Sequence, residues 1–169
     1  KNIDLTGYTE IYAVRAKNAG VESLKFDKAP SLHNIELDGN HVKELDLEGR
    51  SNPDTYNTLE LGEQTPEIYV SSGKLASNTV SLKDLFSNPV NVTVKSGEGY
   101  TYDADAQTIT FRDENSRKFA YTYNTKFESD GGPQLSGTAT VVPAAKIASV
   151  KPAKASYTYT GKTIRPGVT

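Results

Sequence analysis

Hydrolysis, metal binding and ring stacking each demand particular side chains, and this sequence supplies only some of them. With no Cys and only two His, it cannot form disulfides, thiolate metal sites, iron–sulfur clusters or a cysteine nucleophile. His33 and His41 have no clustered carboxylate beside them in sequence, so no zinc centre is expected. No G-x-S-x-G, P-loop, H-E-x-x-H or dinucleotide fingerprint occurs. What remains for hydrolysis is a carboxylate pair, and a glycosidase needs its two carboxyl groups about 5–10 Å apart in a cleft. Glu36 and Glu60 are the pair of interest, because the repeat described below places them on neighbouring strands. An open sheet face has nothing to desolvate either carboxylate, so no catalytic residue is assigned and the chain is read as non-enzymatic.

Two other groups of side chains have chemical potential. Asp103 with Asp105, and Asp113 with Glu114, offer oxygen ligands for calcium, but neither run has EF-hand spacing and the same residues serve hairpin turns. No metal and no cofactor are therefore expected. Six of the 10 tyrosines lie in three Tyr-Thr-Tyr copies: Tyr100/Tyr102, Tyr121/Tyr123 and Tyr157/Tyr159. Strand alternation puts both rings of a copy on one face, which suits either a sugar-stacking platform or packing against a core.

The elements that must position Glu36 and Glu60 come from an internal repeat. Ile11, Val14, Ala16, Val21, Leu24 and Phe26 are followed 21 positions later by Leu32, Ile35, Leu37, Val42, Leu45 and Leu47, all aliphatic. Tyr56, Leu59 and Leu61 repeat the spacing of Leu32, Ile35 and Leu37 at an offset of 24, after the turn formers of residues 50–55. Residues 32–42, Leu-His-Asn-Ile-Glu-Leu-Asp-Gly-Asn-His-Val, follow L-x-x-L-x-L-x-x-N-x-L with aliphatic swaps and resemble a leucine-rich repeat. Ile35 and Leu37 then point inward from a short strand, and Asn40 can satisfy backbone groups where the chain turns away.

Beyond residue 65 the pattern is β. Ser81-Leu-Lys-Asp84 opens a short helix signal through Leu85 and Phe86. Val90, Val92 and Val94 alternate, residues 99–102 and 108–112 outline a hairpin, and Phe119, Tyr121 and Tyr123 share a face. Residues 135–142 form a further strand, and 143–145 read as a linker. The expected fold is mostly β: the C-terminal end of a leucine-rich repeat solenoid over 1–65, an antiparallel β-sandwich module over 66–143, and the start of a further β module over 144–169, the last two being Ig-like by the resemblance given next. Charge follows these divisions. The net formal charge of -2 conceals an acidic first segment and a last segment whose only charges are Lys146, Lys151, Lys154, Lys162 and Arg165.

Thr108-Ile-Thr-Phe111 with Phe119-Ala-Tyr-Thr-Tyr-Asn124, and Ser156-Tyr-Thr-Tyr-Thr-Gly-Lys-Thr-Ile-Arg-Pro166, resemble the Ig-like modules that follow the repeats in internalin-like surface proteins of Gram-positive bacteria. That resemblance implies a secreted or cell-wall-anchored, extracellular protein that binds a protein or glycan ligand, with the β modules as spacers. The alternative is a substrate-targeting or purely structural spacer region of a larger secreted glycan-active enzyme. The missing initiator Met fits a fragment of a longer chain. The near-neutral charge argues against nucleic acid, no apolar run is long enough for membrane insertion, and a monomer is expected.

The non-core strand positions fall in rows: Ala13/Asn34/Thr58, Arg15/Glu36/Glu60 and Lys17/Asp38/Gly62. Arg15, Lys17, Asn34, Glu36, Asp38, Thr58 and Glu60 are the candidate ligand-binding residues. Arg15 beside Glu36 and Lys17 beside Asp38 are equally well placed for cross-strand pairing, which would leave Glu36 and Glu60 as an unexplained like pair.

Overall fold

A computed structural model describes residues 1–26, 32–48, 58–75, 77–127 and 133–144. In the first segment, each short strand centres on an aliphatic residue. They are β1 (Asn2–Asp4), β2 (Ala13–Arg15), β3 (Ser23–Lys25), β4 (Asn34–Glu36) and β5 (Thr58–Glu60). The repeat is a parallel register. β2 pairs with β4 as Val14↔Ile35, β4 with β5 as Ile35↔Leu59, and β1 with β3 as Ile3↔Leu24. Val14, Val21, Leu24, Leu32, Ile35, Leu37, Val42, Leu45 and Leu47 are all buried, as the repeat requires.

These strands do not make a regular leucine-rich-repeat solenoid, and that expectation is corrected. The offset between paired strands changes from 21 to 24, each strand has only three residues, and β1–β3 forms a sheet separate from β2–β4–β5. Among the described residues, no strand pairs with the far edge of β5. Two strands, β6 (Glu63–Gln64) and β7 (Glu67–Ser71), instead join the edge of the long strand that ends the described chain, called β13 below (Leu135–Ala144).

The rest of the chain continues through β8 (Thr79–Ser81), α1 (Leu82–Leu85), β9 (Val92–Val94), β10 (Tyr100–Asp103), β11 (Thr108–Phe111), β12 (Lys118–Tyr123) and β13. The expected hairpin is β10–β11, and Asp103 Oδ1 accepts the Ala106 amide at 2.9 Å in its turn. β8 adds to β11, and β12 pairs antiparallel with both β9 and β13. The antiparallel Ig-like sandwich is likewise corrected: β6 and β7 run parallel to β13, so that sheet is mixed. The molecule is mostly β, built from several small sheets. The 143–145 linker reading also changes, since Pro143 and Ala144 continue β13 opposite Val70 and Ser71. The expected further module lies outside the described residues.

The buried residues on either side of residue 65 pack as one cluster. Within it Phe86 lies edge-on to Phe119 and Tyr121 and stacked with Tyr123, the Phe86–Tyr121 ring centroids 5.0 Å apart. The Tyr121 hydroxyl donates to the Lys43 carbonyl at 2.9 Å, and the Leu47 amide donates to the Thr125 carbonyl at 2.7 Å. Lys43 Nζ reaches the Leu85 carbonyl at 2.8 Å, and Lys126 Nζ reaches Glu48 at 2.8 Å.

Candidate functional site

Three parallel strands carry the expected rows. Their middle residues, Val14, Ile35 and Leu59, turn toward the core, which sends the flanking positions to the other face. Arg15 Nε donates to Glu36 Oε1 at 2.8 Å. Lys17 Nζ lies 4.0 Å from Glu36 Oε2 and hydrogen-bonds Glu60 Oε2. Arg15, Glu36, Lys17 and Glu60 therefore form one alternating ladder across all three strands. The like pair has its explanation, because Lys17 bridges both carboxylates. The hydrogen bond that Lys17 donates to Glu60, supported by the charges of Glu60, Glu36 and Asp38, raises the Lys17 pKa above its ordinary value.

Asp38 does not take Lys17 as its partner. Its side chain lies beside Gly62, where an added Cβ would meet Asp38 Oδ1 at 1.9 Å. One repeat earlier, Asn18 sits in the same way beside Gly39, whose φ of +71° already favours glycine. Asn34 is buried and Thr58 half-buried, so a ligand resting on this face would meet Arg15, Lys17, Glu60 and Asp38 before it reached either of them.

Two buried amides hold the ladder's strands from behind. Asn40 Oδ1 accepts the amides of Ala19 and Val21 at 3.0 and 2.9 Å, while Nδ2 donates to the carbonyls of Ala16 and Leu37 at 2.6 and 2.7 Å. The motif anticipates this role. Gln64 repeats it: Oε1 accepts the Val42 amide at 3.1 Å, and Nε2 donates to Leu37 and Leu61 carbonyls at 2.8 and 2.6 Å. Sequence reasoning missed Gln64, although it stands 24 positions after Asn40, the same offset that relates Leu59 to Ile35.

The other candidates resolve differently. Tyr100, Tyr121 and Tyr123 are buried, so those copies of Tyr-Thr-Tyr pack against a core and present no open platform; Tyr157 and Tyr159 lie outside the described residues. Asp113 Oδ1 accepts the Asn115 amide at 2.8 Å in a turn. Among the described residues, no group of three or more His, Asp or Glu side chains is placed to hold a metal ion. The basic residues from Lys146 onward lie outside the described residues. Among those described, no helix is long and apolar enough to cross a membrane.

No family model and no curated protein matches this chain. In structure it is similar to the functional domain of InlJ from Listeria monocytogenes, an internalin described as including a cysteine ladder. The TM-score is 0.43 at 20% identity, and the match covers 84% of this chain and 36% of that one. The present chain has no cysteine.

Proposed function

We propose that this chain is a non-catalytic recognition module of a secreted or surface-displayed protein, binding a protein or glycan ligand through the ladder face. The observation that supports this reading is the arrangement of Arg15, Glu36, Lys17 and Glu60. Four charges are held in fixed order on an open sheet face, anchored from behind by Asn40 and Gln64. Preorganised charge of alternating sign favours a partner with a matching pattern and costs little ordering entropy on binding. Two carboxylates sharing one lysine on an open face are suited to holding a ligand and poorly suited to delivering a proton.

A panel of immobilised glycans and extracellular proteins tests this directly. The ligand found should bind more weakly as salt rises from low to physiological strength. Changing Glu36 and Glu60 together to Ala should weaken it by about tenfold or more, equivalent to about 1.4 kcal/mol. The mutual pairing of the four charges supports a second reading, a structural spacer whose ladder only holds strands together. An inert ladder face across the whole panel would favour the spacer.

A further inference from the structure

A separate cleft of about 700 Å³ opens beside β7, within the roughly 300–1,000 Å³ range of small-ligand sites. Glu22, His41, Lys43, Thr65, Glu67 and Tyr69 line it, so it draws on both sides of residue 65 and shares no residue with the charged ladder. Tyr69 is the notable member. Alternation along β7 buries Ile68 and Val70 and turns Glu67, Tyr69 and Ser71 outward, leaving Tyr69 63% exposed. A tyrosine this exposed on a strand contributes little to the core. Its hydroxyl donates to Glu67 Oε2 at 2.7 Å, which restrains the ring in place.

The polar groups around the ring are of mixed kind. His41 Nδ1 lies 2.9 Å from the Thr65 carbonyl oxygen. A carbonyl can only accept, so Nδ1 carries a proton, which it shares with the Thr65 hydroxyl oxygen 3.1 Å away. The Lys43 ammonium is already paired, with the Leu85 carbonyl at 2.8 Å and with Glu44 at 3.2 Å. Glu22 is largely solvent-facing, so its carboxylate is open to a ligand. The cleft thus offers carboxylate acceptors, a threonine hydroxyl that accepts from His41 and can donate to a ligand, and one exposed aromatic ring.

Hydroxyl groups both donate and accept, and the C–H face of a pyranose packs on an aromatic ring. Glu22 and Glu67 disfavour an anionic sugar. A lone tyrosine gives no aromatic cage for an ammonium group. We propose that this cleft is a subsite for a neutral oligosaccharide, with Tyr69 as the stacking ring and Glu22 and Glu67 accepting hydrogen bonds from sugar hydroxyls.

Calorimetric titration of the whole chain tests this, using neutral hexose and N-acetylhexosamine oligosaccharides, matching uronic-acid oligosaccharides and trilysine as probes. At least one neutral probe should bind with Kd below about 1 mM, and the uronic-acid probes should bind more weakly. Tyr69→Ala should weaken binding by about tenfold or more, and Tyr69→Phe, which keeps the ring, by less than about threefold. Both variants should unfold at the wild-type temperature, because the side chain is outside the core. The double change of Glu36 and Glu60 to Ala should leave this binding unaltered, which separates the cleft from the ladder face. Absence of neutral-sugar binding, preference for trilysine, or full binding by Tyr69→Ala would each overturn the proposal.

Discussion

Asn40 and Gln64 do more per side chain than any charged residue on the ladder. Each is fully buried and each satisfies both backbone donors and backbone acceptors, groups that would otherwise be stranded away from water. A stranded buried group costs about 1–3 kcal/mol. Asn40→Ala and Gln64→Ala should therefore each destabilise by about 2–4 kcal/mol in urea unfolding, given several groups orphaned and partial access of water. Tyr121→Phe is a smaller, cleaner change. It removes only the bond to the Lys43 carbonyl and should cost about 1–2 kcal/mol by the same measurement.

At the scale of the elements, charge and shape contribute unequally. Arg15–Glu36 and Lys17–Glu60 lie at the solvent surface, where water and salt screen such pairs and leave them little net effect on stability. A double-mutant cycle on Arg15 and Glu36 should return a coupling under about 1 kcal/mol that shrinks further in high salt. The glycines at the strand ends matter more. Gly39 has a positive φ, and an added Cβ would meet Asn18 Oδ1 at 2.0 Å. Gly39→Ala should cost about 1–3 kcal/mol and disturb the turn after β4, visible as lost amide protection around Ala19 to Val21.

For the whole molecule, the bond from the Tyr121 hydroxyl to the Lys43 carbonyl and that from the Leu47 amide to the Thr125 carbonyl tie the first segment to the mixed sheet. Alkaline pH probes this junction. Burial, aided by the charges of Glu44 and Glu63, pushes the Tyr121 phenol well above its ordinary value of about 10. The native state then keeps a proton that the unfolded chain releases, so stability falls as pH rises past about 10, by up to about 1.4 kcal/mol per pH unit. Lys17 and Lys126, raised chiefly by their hydrogen bonds to Glu60 and Glu48, act in the same direction. Their contribution is complete below the ordinary lysine range and is lost as pH climbs through their raised values. Urea midpoints at pH 8, 10 and 11 should decline for the wild type, and less steeply for Tyr121→Phe.

The sequence by itself determined the local facts. The 21-residue and 24-residue offsets are the strand registers, Asn40 is the buried turn amide, α1 and the β10–β11 hairpin form near their signals, and Phe119, Tyr121 and Tyr123 share a buried face. Periodicity reports which side of a strand is wet, because burial acts on one residue at a time. Only the tertiary structure decided what those strands meet. β7 carries a plain alternation, Glu67-Ile-Tyr-Val-Ser71, yet its partner β13 begins at Leu135, far along the chain, and the two run parallel. The same distance hides the sharing of Lys17 between Glu36 and Glu60, the stacking of Asp38 beside Gly62, and the cleft that unites Glu22, His41 and Tyr69. Each depends on contacts between residues remote in sequence, whose energy is gained only after the chain closes on itself.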